Sequence, residues 1–163
     1  MKIVRDKKCT AILAHDLIGH YGGRMSAISD CIVMSIPKIT DDRGNLSFIE
    51  AGRPVPFVIK RAYWIYDVPG GETRGGHAYK TLREFFVALS GSFDVIVDDG
   101  RARKTVALNR SYIGLYVPNM IWRQLDNFST NAVCMILASR LYEENDYLRD
   151  YKAFLNHSLK GSR

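Results

Sequence analysis

Within the run RGGHAYKTLREFF, residues 74–86, a histidine, His77, precedes a tyrosine, Tyr79, and then a glutamate, Glu84. Side chains two apart along a strand point to the same side, so His77 and Tyr79 would share one face. An imidazole titrates near neutrality and is suited to take a proton from carbon and return it. A phenol, with an ordinary pKa of about 10, is a poor neutral base. It remains a good hydrogen-bond donor to a developing oxyanion. The pair points to general acid–base chemistry, with His77 as base and Tyr79 as donor. Glu84 is either a substrate contact or an ion-pair partner for Lys80, Arg83 or an arginine turned inward.

A second set of residues suits an anionic ligand. Arg61 falls in the apolar phase of FVIKRAYWI, among Ile59, Tyr63 and Ile65. A cation there is costly unless a partner waits inside, and guanidinium forks match phosphate oxygens. Arg43, in the turn TDDRG, is a further candidate. Tyr63 and Trp122 offer aromatic faces on which a base or a sugar ring can stack.

Strands are needed to position these groups. CIVMSIPKI, NLSFIEAG, FVIKRAYWIYDV, GHAYK, FFVALSG, SFDVIVDDG, ARKTVALN, YIGLYVP, IWRQLDN and AVCMILAS are short apolar runs parted by turn residues. That spacing predicts an all-β sandwich or barrel. Residues 57–66 alternate as one strand, Asp99-Gly100 predicts a two-residue hairpin, and Gly91 marks another tight turn. In LYEENDYLRDYKAFLNHSLK, Tyr147, Leu148, Tyr151 and Leu155 recur at helical spacing, which predicts one amphipathic helix on the β body. Residues 1–30 are expected to form an N-terminal extension, and residues 31–158 a single domain that includes the helix.

Bulk properties exclude several classes. The chain has 163 residues, 47% of them hydrophobic, enough for one domain with a real core. The net charge of +6 is spread along the sequence without a dense basic stripe, so no nucleic-acid partner is expected. Cys9, Cys31 and Cys134 are odd in number and have no CxxC spacing. That argues against a disulfide framework and suits a reducing cytoplasm. No apolar run approaches a membrane span, so no membrane association is expected. Cys134 reads as core, and His15, His20 and His157 as bystanders.

Gly71, His77, Glu84 and Gly91 fit the spacing G-x5-H-x-H-x4-E-x6-G, with Tyr79 at the second histidine; Pro118 and Asn127 fit a second motif in which Arg123 replaces a histidine. This resembles the two-motif signature of the cupin jelly roll, a double-stranded β-helix. In metal-binding cupins three histidines and the glutamate hold a divalent ion. Here a tyrosine stands at one ligand position and an arginine cation at another, so no metal and no other cofactor is expected.

A narrower resemblance covers roughly residues 34–155. DDRGNLSFIE, VPFVIKRAYWIYDVPGGETRGGHAYK, SGSFDVIVDDG, YIGLYVPNMIW and ILASRLYEENDYLRDYKAF are similar to the sugar-nucleotide 3,4-ketoisomerases of the WxcM-like type. These are metal-free cupins that act on dTDP-4-keto-6-deoxyglucose. The resemblance implies an isomerase that moves a carbonyl between C4 and C3 of a dTDP-linked keto-deoxyhexose. It also implies a homodimer with exchanged strands, and a place in the synthesis of deoxyamino sugars for surface polysaccharide such as O-antigen. It implies catalytic roles for His77 and Tyr79, and Arg74, Glu84 and Arg123 join Arg43, Arg61, Tyr63 and Trp122 as substrate-binding candidates. Arg74 matches the family's RG, and Arg123 stands where members carry His or Arg. The family hallmark is RGxHAHK, and this chain has RGGHAYK. Because a His and a Tyr share acid–base work in sugar-nucleotide 3,5-epimerases, an epimerase-like activity is the alternative, followed by a cupin that binds a sugar nucleotide without turnover.

Overall fold

A computed structural model describes residues 26–50 and 52–160. Most of the expected N-terminal extension, with Cys9, His15 and His20, lies outside the described residues. After a 3-10 turn at Ile28–Asp30 come twelve described strands, with a second 3-10 turn at Glu144–Asp146 before the last: β1 (Ile32–Ser35), β2 (Lys38–Asp41), β3 (Gly44–Ser47), β4 (Arg61–Ile65), β5 (Arg74–Tyr79), β6 (Glu84–Ser90), β7 (Phe93–Asp98), β8 (Arg103–Leu108), β9 (Ile113–Val117), β10 (Trp122–Asp126), β11 (Val133–Ala138) and β12 (Tyr147–Leu148). One helix, α1 (Tyr151–Lys160), closes the described chain.

Two five-stranded antiparallel sheets, in the orders β1-β9-β6-β11-β4 and β12-β5-β10-β7-β8, make the body, as the jelly-roll expectation required. Phe86 and Ala88 from the first sheet meet Val95, Val97 and Leu125 from the second, and together they form the main core. The run EFFVALS lacks a clear alternation because β6 is covered on both faces. Phe85 and Val87 point the other way, into a second cluster with Val55, Phe57, Tyr116 and Leu137. Near-continuous apolar character is what such a strand demands.

That second cluster corrects the reading of residues 57–66. Only Arg61–Ile65 forms a strand. Phe57 packs outside the first sheet whereas Tyr63 and Ile65 pack against the main core, so the alternation spans two surroundings rather than one strand.

The Asp99-Gly100 turn is also longer than expected. Asp98 pairs with Arg103, leaving residues 99–102 in the loop. The Asp99 carboxylate accepts hydrogen bonds from the backbone of Arg101 and Ala102, both at 2.9 Å, and this organises the longer loop. Gly91 makes the tight turn its position implied. Its φ is +63°, and a Cβ there would sit 2.4 Å from the Ser129 hydroxyl oxygen.

The C-terminal segment departs most. Tyr147 and Leu148 are strand, paired with Tyr79 and Ala78 of β5. Helix α1 starts only after Asp150, whose carboxylate accepts the Ala153 backbone N–H at 2.7 Å. Tyr151 and Phe154 then pack on the outer face of the second sheet with Ala78, Trp122 and Leu148. Hairpin β2–β3 stands apart as its own two-stranded sheet, with every residue exposed. Among the described residues no helix is long and apolar enough to cross a membrane.

Candidate functional site

The two sheets open at one end into a cavity of about 430 Å³. Its walls come from β4, β5, β6, β10 and β11, and Tyr147 and Arg149 close one side. The volume falls within the range of small-ligand sites.

Strand β5 carries the acid–base pair. His77 lies opposite Arg123 in the β5–β10 ladder, and the register slips between Arg123 and Gln124. The His77 and Tyr79 ring centres are 4.9 Å apart and meet edge to face, so the same-face expectation holds. His77 Nε2 is buried without a hydrogen-bond partner. The other ring nitrogen is committed to the backbone of Gly75. That arrangement fixes the tautomer and leaves Nε2 as a lone pair facing the cavity. Burial, and then the Arg123 charge, push the imidazole down to about 3, so it is neutral at physiological pH.

Tyr79 is 1% exposed, with its ring under the Arg123 guanidinium at 4.7 Å and beside Tyr147 at 4.5 Å. Burial and the neighbouring Glu84 raise its pKa far above the phenol range, so it stays protonated. Glu84 on β6 is fully buried. It accepts a 2.5 Å hydrogen bond from the Tyr63 hydroxyl and faces Arg123 Nε at 3.4 Å. Of the partners left open by the sequence, the inward arginine Arg123 is the one it meets. Burial raises the Glu84 pKa, and Arg123 and then the Tyr63 hydroxyl oppose that rise. The Arg123 guanidinium is anchored by donation from Nη2 to the Pro118 carbonyl at 3.2 Å.

The structure thus gathers His77, Tyr79, Tyr63, Glu84, Arg74 and Arg123 around one cavity. It sets three other candidates elsewhere. Arg61 lies beside the site, over the Tyr63 and Tyr142 rings, with a buried Nε that has no hydrogen-bond partner. Trp122 points away from the cavity and packs under α1 against Tyr151 and Phe154. Arg123 and Leu125 line the cavity from one face of β10 and Trp122 lies on the other, so Trp122 and Arg123 cannot both line it. Arg43 sits on the exposed tip of hairpin β2–β3, paired with Asp41 at 2.7 Å.

Among the cavity residues that were missed, Tyr147 and Arg149 stand nearest the acid–base pair. The Tyr147 ring lies 5.1 Å from His77, and the Arg149 guanidinium caps Tyr147 at 4.2 Å. A two-residue strand has too short a period to register in sequence. The useful signal was Asp146, an acid placed just before them. Its carboxylate accepts hydrogen bonds from the Thr81 backbone and hydroxyl and from Leu82 N, and this ties the segment to the end of β5.

Comparison with known proteins places these features in a family. Residues 29–158 match the family described as FdtA: WxcM-like, C-terminal. The chain is 43% identical over 128 residues to a TDP-4-oxo-6-deoxy-alpha-D-glucose-3,4-oxoisomerase from Aneurinibacillus thermoaerophilus, covering 78% of this chain and 92% of the relative. Among solved structures, a 3,4-ketoisomerase from Helicobacter canadensis superposes with a TM-score of 0.78 at 39% identity, covering 80% of this chain and 98% of that one. QdtA, a sugar 3,4-ketoisomerase from Thermoanaerobacterium thermosaccharolyticum solved with TDP, gives 0.81 at 31% identity, covering 84% and 100%.

Proposed function

Since the chain belongs to the FdtA, WxcM-like C-terminal family, we infer that it is a sugar-nucleotide 3,4-ketoisomerase, moving the carbonyl of a dTDP-linked 4-keto-6-deoxyhexose between C4 and C3 in deoxyamino-sugar synthesis. The observation that carries the mechanism is His77 Nε2, a buried lone pair facing the cavity with no other partner.

His77 Nε2 takes the proton from C3, and the C–H pair becomes the C3=C4 bond of an enediol. The same nitrogen then returns a proton at C4. The carbonyl oxygen at C4 must gain a proton while the hydroxyl at C3 loses one, a donor role for which Tyr79, lining the cavity beside His77, is suited. Free of substrate, His77 is a weak base. Burial holds the ring low first and the Arg123 charge second, so a diphosphate that offsets part of the Arg123 charge moves the imidazole upward by relieving the smaller of the two causes. Arg74 and Arg149, exposed at the rim, suit the diphosphate oxygens, with Tyr147 against the sugar.

Hairpin β2–β3 supports a homodimer with exchanged strands. It buries nothing within its own chain, and its tip carries Arg43, which such an exchange would bring to a partner's cavity. Buried, unpaired Cys31 and Cys134 suit action in the cytoplasm.

The deciding experiment is proton NMR of the protein with dTDP-4-keto-6-deoxyglucose in D2O, with His77→Ala as control. Migration of the carbonyl to C3 with deuterium at C4 supports the isomerase. Deuterium at C3 or C5 with the ketone still at C4 would instead point to an epimerase or to an isomerase that completes only its first half. Binding without any exchange would establish a cupin that holds the nucleotide without turnover.

A further inference from the structure

Arg149 is held at the cavity rim from two sides. Its Nε and Nη2 donate to the two carboxylate oxygens of Glu144, at 3.0 and 3.1 Å. The Tyr142 hydroxyl donates to Glu144 Oε2 as well. The guanidinium lies over the Tyr147 ring at 4.2 Å. That ring stands 5.1 Å from His77 and 4.5 Å from Tyr79. Direct contacts therefore run from Tyr142 and Glu144, through Arg149 and Tyr147, to the acid–base pair.

The chain around the ion pair is fixed without it. The Asp146 carboxylate accepts from the backbone of Thr81 and Leu82, and the Asp146 carbonyl accepts from Lys80 N at 2.9 Å. Tyr147 and Leu148 pair with β5. The Arg149 and Glu144 side chains are 54% and 57% exposed, and an exposed ion pair adds little to stability. What the pair does fix is the guanidinium itself. A free surface arginine samples many rotamers, and ordering it on ligand arrival costs affinity. The side-on bond also decides which donors remain. Nε and one Nη2 proton are spent on Glu144. The end-on edge of the fork, Nη1 with the other Nη2 proton, is left for a second anion.

Within the ketoisomerase reading, on which this inference rests, we propose that Glu144 and the Tyr142 hydroxyl are positioning residues: they hold Arg149 against Tyr147 with the end-on edge of its guanidinium presented to the diphosphate of the sugar nucleotide. Arg149 touches the ligand, and Glu144 and Tyr142 act through it. Tyr147, in contact with both, sets the spacing between the clamped charge and His77. The sign of the Glu144 effect separates this role from that of a solvated surface pair. A carboxylate near the rim repels a diphosphate. If Glu144 only neutralised Arg149, removing it would tighten binding. As a positioning residue, its removal weakens binding although a negative charge has gone.

Calorimetric titration of dTDP into wild type and variants tests this, with steady-state turnover alongside. Arg149→Ala is expected to weaken dTDP binding about 10-fold, the range of a charge-assisted hydrogen bond. Glu144→Ala should weaken it about 3- to 5-fold, the upper range for an exposed ion pair. In turnover, Glu144→Ala should raise KM with kcat unchanged. Tyr142→Phe should shift affinity the same way by less. Glu144→Ala/Arg149→Ala should bind no worse than Arg149→Ala alone, because the first residue works only through the second. Glu144→Arg/Arg149→Glu restores opposite charges but puts the acid at the rim, so it should stay folded and bind no better than Arg149→Ala. Wild-type affinity in that exchange, equal or tighter binding in Glu144→Ala, or additive losses in the double alanine variant would each overturn the proposal. A wild type that neither binds dTDP nor moves the carbonyl overturns the functional reading and the clamp with it. A competent wild type whose affinity is indifferent to Glu144 overturns the clamp alone.

Discussion

Arg123 and Glu84 face each other at 3.4 Å inside the barrel, each 1% exposed, and neither Arg123 Nε nor Glu84 Oε2 makes a hydrogen bond. They are held by charge and enclosure rather than by a directed bond. Enclosure makes the pair costly to break, because the survivor keeps its desolvation and loses its counter-charge. Arg123→Leu is expected to destabilise the fold by about 3–5 kcal/mol. Arg123→Leu/Glu84→Leu should recover most of that loss, since two apolar groups replace the pair. Urea unfolding of wild type, both single variants and the double decides it: additive losses would show that the two residues do not stabilise each other.

The depressed His77 pKa has a direct consequence for stability. The unfolded chain takes up a proton at His77 near the ordinary 6.5, while the folded chain does so only at about 3. Between those values the unfolded state binds more protons, so this contribution to stability is complete above 6.5 and is lost as pH falls toward 3. Urea midpoints between pH 7 and 3 are expected to fall less steeply in His77→Asn than in wild type. NMR titration of the His77 ring should give a midpoint near 3 in the free protein and a higher one with dTDP bound. An unperturbed midpoint in the free protein would contradict the burial of the ring.

How far the site was legible in the sequence depended on period. His77 and Tyr79 share one strand, where a spacing of two fixes their facing, Glu84 and Arg123 fall at motif positions on two others, and the cavity holds all four. Tyr147 and Arg149 reach it through a strand of two residues, and a helical period in the same stretch masked it. Trp122 misled because aromatic character says nothing about which sheet face a residue occupies. The alternation through 57–66 misled because Phe57 and Tyr63 enter different clusters, and one sequence period cannot tell two cores apart.

The placement of Trp122 makes a sharp distinction possible. Its ring fills the space between β10 and α1 with Phe154 and Tyr151, so truncation leaves a void under the helix. Trp122→Ala is expected to cost about 3–5 kcal/mol of stability. Protein that remains folded should bind dTDP as wild type does. Tyr147→Ala should show the reverse: a smaller stability loss with clearly weaker binding, because that ring lines the cavity beside His77. Calorimetric titration with dTDP separates the two, and a large affinity loss in folded Trp122→Ala would return that residue to the binding site.

Gly75 and Gly76 precede His77 with positive φ, at +83° and +70°, but their surroundings differ. A Cβ on Gly76 would meet nothing within 4 Å, so Gly76→Ala carries only backbone strain, about 1 kcal/mol. A Cβ on Gly75 would stand 3.0 Å from the Arg123 carbonyl oxygen and 3.3 Å from the Gln124 Cα. Those are backbone atoms of the paired strand, at the register slip, and they cannot rotate aside. Gly75→Ala must therefore push β5 from β10, which moves both the Arg123 guanidinium and the backbone that holds the His77 ring. The expected outcome is a stability loss of about 1–3 kcal/mol, with kcat falling far more than in Gly76→Ala at comparable KM. Because the Gly75 backbone contact raises the His77 pKa, weakening it should also lower the ring's titration midpoint further. Equal kcat in the two alanine variants would show that the Gly75 contact does not position the base.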